Sequence, residues 1–198
     1  MADTLISVRG LFLERGGRRL VDNFDLEVKT GELVLIEGAN GAGKTTLLRS
    51  LAGLSQLGLE GKIQRHCENL LYLGHRPGVK QLLTARENLA WYCQAYGLDD
   101  NRVESALDRV GLFGYEDVQC QNMSAGQQRR VNLARLYLGG ASLWLLDEPF
   151  TAIDKAGVRS LSQTLVEQVQ TGGAVIMTSH QELPIDYPLR RIQLGANS

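Results

Sequence analysis

Gly38-Ala39-Asn40-Gly41-Ala42-Gly43-Lys44-Thr45 matches G-x-x-x-x-G-K-[ST] at every fixed position. The chemistry of such a run is phosphate capture. Glycines let successive backbone N–H groups turn inward around phosphate oxygens, a helix N-terminus adds its positive dipole end, and the lysine reaches the β- and γ-phosphates. Thr45 is placed to give its hydroxyl to Mg2+, and Thr46 to bond on the α-phosphate side. Further along, the apolar run Leu143-Trp144-Leu145-Leu146 ends in Asp147-Glu148-Pro149. A buried carboxylate at a strand end can hold Mg2+, and its neighbour can orient and deprotonate water, which assigns these roles to Asp147 and Glu148. Proline and acids also favour turns, so the triplet alone has a local explanation; the phosphate loop tips the reading toward catalysis.

Two further groups are weaker by themselves. Ser124-Ala125-Gly126-Gln127 opens a helical pattern, and Ser124 with Gln127 three residues later forms a capping box that needs no function. Gly126 in the first turn costs helix stability relative to alanine, which points instead to close approach of a phosphate at this helix N-terminus. His180 follows the apolar run Ala174-Val175-Ile176-Met177 through Thr178-Ser179. A histidine there is either structural or, at the same sheet edge as Lys44 and Asp147, a γ-phosphate contact.

The elements that must position these residues alternate along the chain. A short buried strand is expected at 32–37, then the glycine-rich turn, then a helix from Lys44 to Ala52 with Gly53 as its stop. A second strand at 143–146 leads into a helix whose Val158, Leu161, Leu165 and Val169 share one face, closed by Gly172-Gly173 before a strand at 174–177. This order predicts an α/β fold with a mostly parallel sheet covered by helices on both faces. Between the two units, 85–97, 102–111 and 125–138 read as helices, so about 76–138 forms a helical insert. Leu5 to Val28 alternates apolar and polar residues around Arg15-Gly16-Gly17-Arg18, predicting an antiparallel hairpin within about 1–30. Residues 57–70 resemble a short, polar-edged strand with no chemistry.

Composition narrows the class. With 198 residues, 43% of them apolar and 22% charged, the chain fits one globular domain with embedded subdomains. The 21 Lys and Arg against 22 Asp and Glu leave a net charge of -1, so nothing advertises nucleic acid. Cys67, Cys93 and Cys120 lack metal-like or disulfide-like spacing and read as free thiols of a reducing compartment. The start, Met1-Ala2-Asp3-Thr4, lacks a signal-peptide pattern, and no apolar run approaches the ~20 residues of a spanning helix.

In order and spacing, residues 38–45, Met123-Ser124-Ala125-Gly126-Gln127, 143–148, Thr151-Ala152-Ile153-Asp154 and His180 resemble the ABC ATPase family over nearly the whole chain. The resemblance implies ATP and Mg2+ as ligands and a head-to-tail dimer of two copies. Lys44, Thr45, Asp147, Glu148 and His180 would act from one copy, and the signature residues Ser124, Ala125, Gly126 and Gln127 from the other. Asp154 would lie in the loop linking the two sites. Three positions depart from the family pattern. Arg15 stands where an aromatic usually stacks on adenine, His75 where a glutamine usually contacts Mg2+, and Ala125 where the signature has its first glycine.

Leu73-Gly74-His75-Arg76-Pro77-Gly78, Met123-Ser124-Ala125-Gly126-Gln127-Gln128-Arg129-Arg130-Val131 and 143–154 further resemble the ATPase subunits of cytochrome c maturation complexes. That branch implies a peripheral location on the cytoplasmic face of a bacterial inner membrane. It also implies an integral, CcmB-like membrane subunit, with other maturation proteins as partners, and hydrolysis serving haem export or release of a haem-loaded chaperone. An ATPase of another transporter and a soluble nucleotide-gated clamp are the competing expectations. His66 beside Cys67 offers no C-x-x-C-H and reads as a surface histidine.

Overall fold

The computed structural model describes residues 2–56, 58–181 and 183–195. Strands β1 (Thr4–Arg15) and β2 (Arg18–Lys29) form the expected hairpin. Its two-residue turn, Gly16-Gly17, has φ of 60° and 73°, the doubly left-handed geometry that matches strand twist and favours glycine. The antiparallel layer extends beyond 1–30, because β4 (Leu59–Arg65) pairs with the other edge of β1. The strand expected at 57–70 is β4 at Leu59–Arg65, and β5 (Leu70–Leu73), in the other sheet, begins only at the last residue of that range; its first residue, Leu57, lies outside the described residues, as does Met1.

The second sheet is parallel throughout, in the order β5-β6-β7-β3-β8, with β3 at Leu33–Glu37, β6 at Leu143–Leu146, β7 at Ala174–Thr178 and β8 at Leu189–Gln193. Its central strands are buried on both faces, and the two-residue period decides which core each side chain enters. Val34, Ile36, Leu143, Leu145, Ala174 and Ile176 pack with α1 (Lys44–Leu51) and the antiparallel layer. Leu33, Leu35, Trp144, Leu146, Val175 and Met177 pack toward α5 (Lys155–Gln170) and the helical segment. One face thus carries α5 and the helical segment, while the other carries α1 and a β layer.

The helical segment comprises α2 (Ala85–Tyr96), α3 (Val103–Arg109) and α4 (Ala125–Ala134). Thr84 and Glu87 start α2 with a capping box, and Gly97 ends it. The helix expected over 125–138 tightens into a 3-10 turn at Arg135–Tyr137, a common way to satisfy the last carbonyls. Among the described residues, no helix is long and apolar enough to cross a membrane. Cys67, Cys93 and Cys120 are free thiols, the latter two buried.

Candidate active site

Strand β3 ends at the glycine-rich loop, and α1 begins at Lys44 immediately after it. Helices α2, α4 and α5 each start with a side-chain cap from Thr84, Ser124 or Asp154, whereas α1 has none. Its first N–H groups are left for an anion. Gly43, the N-cap, has φ of 98°, and a Cβ there would lie 2.9 Å from that of Leu20, so the β2 residue leaves no room for a side chain. The buried Lys44 ammonium donates to the carbonyls of Gly38 at 2.6 Å and Ala39 at 3.2 Å, which draws the loop around it. Ala42 N–H closes the turn onto the Ala39 carbonyl at 3.1 Å.

The carboxyl ends of β6 and β7 meet this loop. Thr45 Oγ1 donates to Asp147 Oδ2 at 2.8 Å, and Thr178 Oγ1 donates to Asp147 Oδ1 at 2.9 Å. The same Thr178 hydroxyl accepts from Glu148 N–H at 2.9 Å. Asp147 is almost fully buried and has both oxygens occupied by hydroxyls, a hard oxygen cluster suited to Mg2+. Glu148 adopts φ of 51°, a left-handed conformation that non-glycine residues rarely take. Its Oε1 is buried with no hydrogen bond, and His180 Nε2 lies 3.3 Å away without the alignment of one. A buried, unpaired carboxylate oxygen beside a half-exposed imidazole can take a proton from water.

These side chains share one cavity of about 530 Å3, lined by Arg15, Asn40, Gly41, Lys44, Thr45, Thr46, His75, Asp147, Glu148 and His180 among others. Arg15 and Thr46 also line a neighbouring cavity of about 670 Å3 beside the β1–β2 hairpin, with Phe12, Arg19 and Arg49. The structure thus brings Arg15 and His75 to the phosphate loop, residues separated from it by long stretches of chain.

It does not bring the start of α4 there. Ser124 Oγ accepts from Gln127 N–H at 3.2 Å, and Gln127 Oε1 accepts from Ser124 N–H at 2.9 Å, so the capping box is realised. A Cβ on Gly126 would lie 3.5 Å from the Ala152 carbonyl, ordinary contact, so nothing among the described residues requires glycine there. Asp154 caps α5 through Gly157 N–H at 2.8 Å and pairs with Arg130 at 3.0 Å. The Gly157 N–H, followed by the Arg130 charge, holds its carboxyl below the usual aspartate value.

Two contributors escaped the sequence reading. Thr178 was only a residue between a strand and a histidine, yet it ties Asp147 to Glu148. Arg129, also buried, joins α4 to both site loops through backbone carbonyls. A strand that ends on a buried hydroxyl is the available signal for the first; one of two adjacent arginines in a helix gave none for the second.

Residues 21–151 match the family model described as ABC transporter. The chain is 48% identical over 206 residues to the cytochrome c biogenesis ATP-binding export protein CcmA of Hahella chejuensis, covering 98% of this chain and 97% of that protein. It is 48% identical over 204 residues to CcmA of Vibrio cholerae, with 96% and 99% covered. The chain belongs to the ABC transporter family, in its CcmA branch. Among solved structures, an ABC transporter ATP-binding protein of Pyrococcus furiosus superposes with a TM-score of 0.81 at 24% identity, covering 98% of each chain, which fixes the shared fold. As an ABC ATPase, the chain binds ATP and hydrolyses it.

Proposed function

We propose that this chain is the ATP-hydrolysing subunit of a membrane ABC complex for c-type cytochrome biogenesis. Its hydrolysis would drive haem export or the release of a haem-loaded chaperone. The observation that carries the reading is near-full-length identity of 46–48% to CcmA proteins of several bacteria, joined to a site with the parts for ATP hydrolysis. Lys44 and the uncapped N–H groups of α1, with residues 38–43, grip the β- and γ-phosphates, and Thr46 the α-phosphate side. Arg15 lays its planar guanidinium on the adenine. Thr45 and Asp147 would hold Mg2+, which when bound would supply positive charge against that developing on the phosphates. Glu148 accepts a proton from the attacking water while the new P–O bond forms at the γ-phosphorus and the bond to the β-phosphate oxygen breaks, giving ADP and phosphate. His180 donates to the γ-phosphate and faces the same carboxylate, and His75 presents an imidazole from the β5 side.

A second copy, docked head to tail, supplies Ser124, Ala125, Gly126 and Gln127 to the γ-phosphate. Ser124 is suited to this, because its hydroxyl oxygen accepts from its own helix and its proton is free to donate outward. Asp154 lies in the loop between the two sites. The unit is one ATPase domain, with an antiparallel subdomain at its start and a helical subdomain over about 76–138 that meets a CcmB-like integral subunit and its neighbouring maturation proteins. The complex sits at the cytoplasmic face of the bacterial inner membrane.

The test is covalent haem staining of c-type cytochromes in cells whose own copy carries Glu148→Gln, with the protein level checked. Loss of the stain while the variant still binds ATP supports the reading. Persistence of the stain removes the cytochrome role and leaves an ABC ATPase of another transporter.

A further inference from the structure

Arg129 is 3% exposed and carries a charge that no carboxylate pairs among the described residues. Burial pulls its pKa down, opposed by the more distant charges of Asp147 and Glu148, and an arginine stays protonated regardless. Burying an unpaired cation is costly unless its donors are matched. Its two terminal nitrogens donate to backbone carbonyls of two separate loops, while the buried Nε has no partner among the described residues. One guanidinium nitrogen donates to Gly74 O at 2.9 Å and His75 O at 3.3 Å; the other to Glu148 O at 2.7 Å and, more weakly, Asp147 O at 3.4 Å.

The Glu148 peptide is consequently held at both ends. Thr178 takes its N–H, and its carbonyl accepts from Arg129 at 2.7 Å and from Thr151 N–H at 3.2 Å; among these bonds the residue keeps its left-handed φ of 51°. The loop that presents His75 to the cavity hangs from the other side of the same guanidinium. Arg129 itself stands on α4, less than one turn beyond Gly126 and little more than one turn beyond Ser124. A single planar fork therefore bridges α4, the Glu148 peptide and the His75 loop. Lysine, a point donor on a flexible stem, cannot reproduce such a fork.

We propose that Arg129 is a positioning residue that locks Glu148 and the His75 loop to α4, so that a shift of α4 reorients both. This inference rests on the proposed roles of Glu148 and of α4 facing the second copy. In that arrangement, phosphate bound at the start of α4 by one site adjusts the base of the other.

The experiment uses the full chain purified with its membrane partners and measures ATP turnover, ATP KM and thermal stability for Arg129→Lys. The expected result is a kcat at least tenfold lower with KM changed less than threefold and the melting temperature nearly unchanged. Single-turnover hydrolysis of Arg129→Lys combined with Glu148→Gln should be no slower than Glu148→Gln alone, because the arginine acts through the glutamate. Should the lysine variant fail to fold, Arg129→Met replaces the buried charge by an apolar side chain of similar reach and is expected to show the same selective loss of kcat. Turnover within twofold of wild type in the variant that folds, or losses that multiply in the double variant, would overturn the proposal. If Glu148→Gln retains full turnover, the reading of the base fails and this inference with it; if only Arg129 proves silent, the base stands.

Discussion

The carboxyl edge of the parallel sheet and the start of α4 both carry sequence motifs, yet they are built in opposite ways. At the sheet edge, Thr45, Asp147, Thr178 and Glu148 are linked to one another by side-chain and backbone bonds across three elements, and each link is at least partly buried. At the start of α4, Ser124 and Gln127 satisfy each other within one turn and do not line the cavity. The first region is assembled by folding. The second is a finished helix cap whose glycine no described neighbour of its own chain requires. Long-range bonds make the sheet edge a matter of stability and chemistry together, whereas the α4 start can lose its chemistry with little cost to the fold.

The largest test of that contrast mixes two defective chains. Lys44→Ala and Ser124→Arg, each alone, are expected to lower ATP turnover at least 100-fold. Co-expressed with different tags and purified as the mixed pair, they should recover activity approaching about half that of wild type, since a head-to-tail pair then has one site with both residues intact. No recovery would mean that the two regions serve one site within one chain. The next test separates chemistry from stability within α4. Gly126→Ala should leave the melting temperature unchanged or raise it, because alanine favours helix by up to about 1 kcal/mol and its Cβ meets only ordinary contact. Turnover should fall roughly tenfold as the methyl group keeps phosphate from the backbone, a loss of about 1.4 kcal/mol in transition-state stabilisation. Full activity in this variant would return Gly126 to a purely local role.

The same contrast explains which parts of the molecule could be read without coordinates. Motifs that act through consecutive residues were visible: the loop at 38–45, the apolar strand into Asp147-Glu148, and the capping box at 124–127 all rest on local physics. The strands β3, β6 and β7 were legible because burial on both faces leaves continuous apolar runs. Strand β8 was missed because it lies at the sheet edge, where Arg190, Arg191 and Gln193 face solvent and dilute any pattern. Strand β4 looked inert for a similar reason, since most of its residues are exposed and only its pairing with β1 defines it. Thr178 and Arg129 were hidden at the site itself because their partners are contributed by distant segments, and a carbonyl that accepts a hydrogen bond leaves no mark on residue type.

Thr178 offers the most discriminating counterpart to Gly126. Its side chain is fully buried, donating to Asp147 and accepting from the Glu148 peptide, so Thr178→Val keeps the shape and removes both bonds. A buried donor and a buried carboxylate oxygen left unpaired cost about 1–3 kcal/mol each, and the isosteric methyl group returns only part of that. A net loss of roughly 2 kcal/mol corresponds to a melting temperature lower by about 4–8 °C for a chain of this size. Turnover should fall with it, by roughly tenfold, as the left-handed Glu148 peptide loses the hydroxyl on its N–H and its carboxylate drifts from the position beside His180. Thr178→Ser, which restores the hydroxyl, should recover most of the activity while leaving a small packing defect. The pattern to look for, in calorimetry and ATPase rates on the same samples, is stability and turnover falling together here and separating at Gly126. If Thr178→Val instead lowers stability alone, the hydroxyl braces the sheet edge without setting Glu148, and the bonds that the Glu148 carbonyl accepts from Arg129 and from Thr151 N–H must hold that residue.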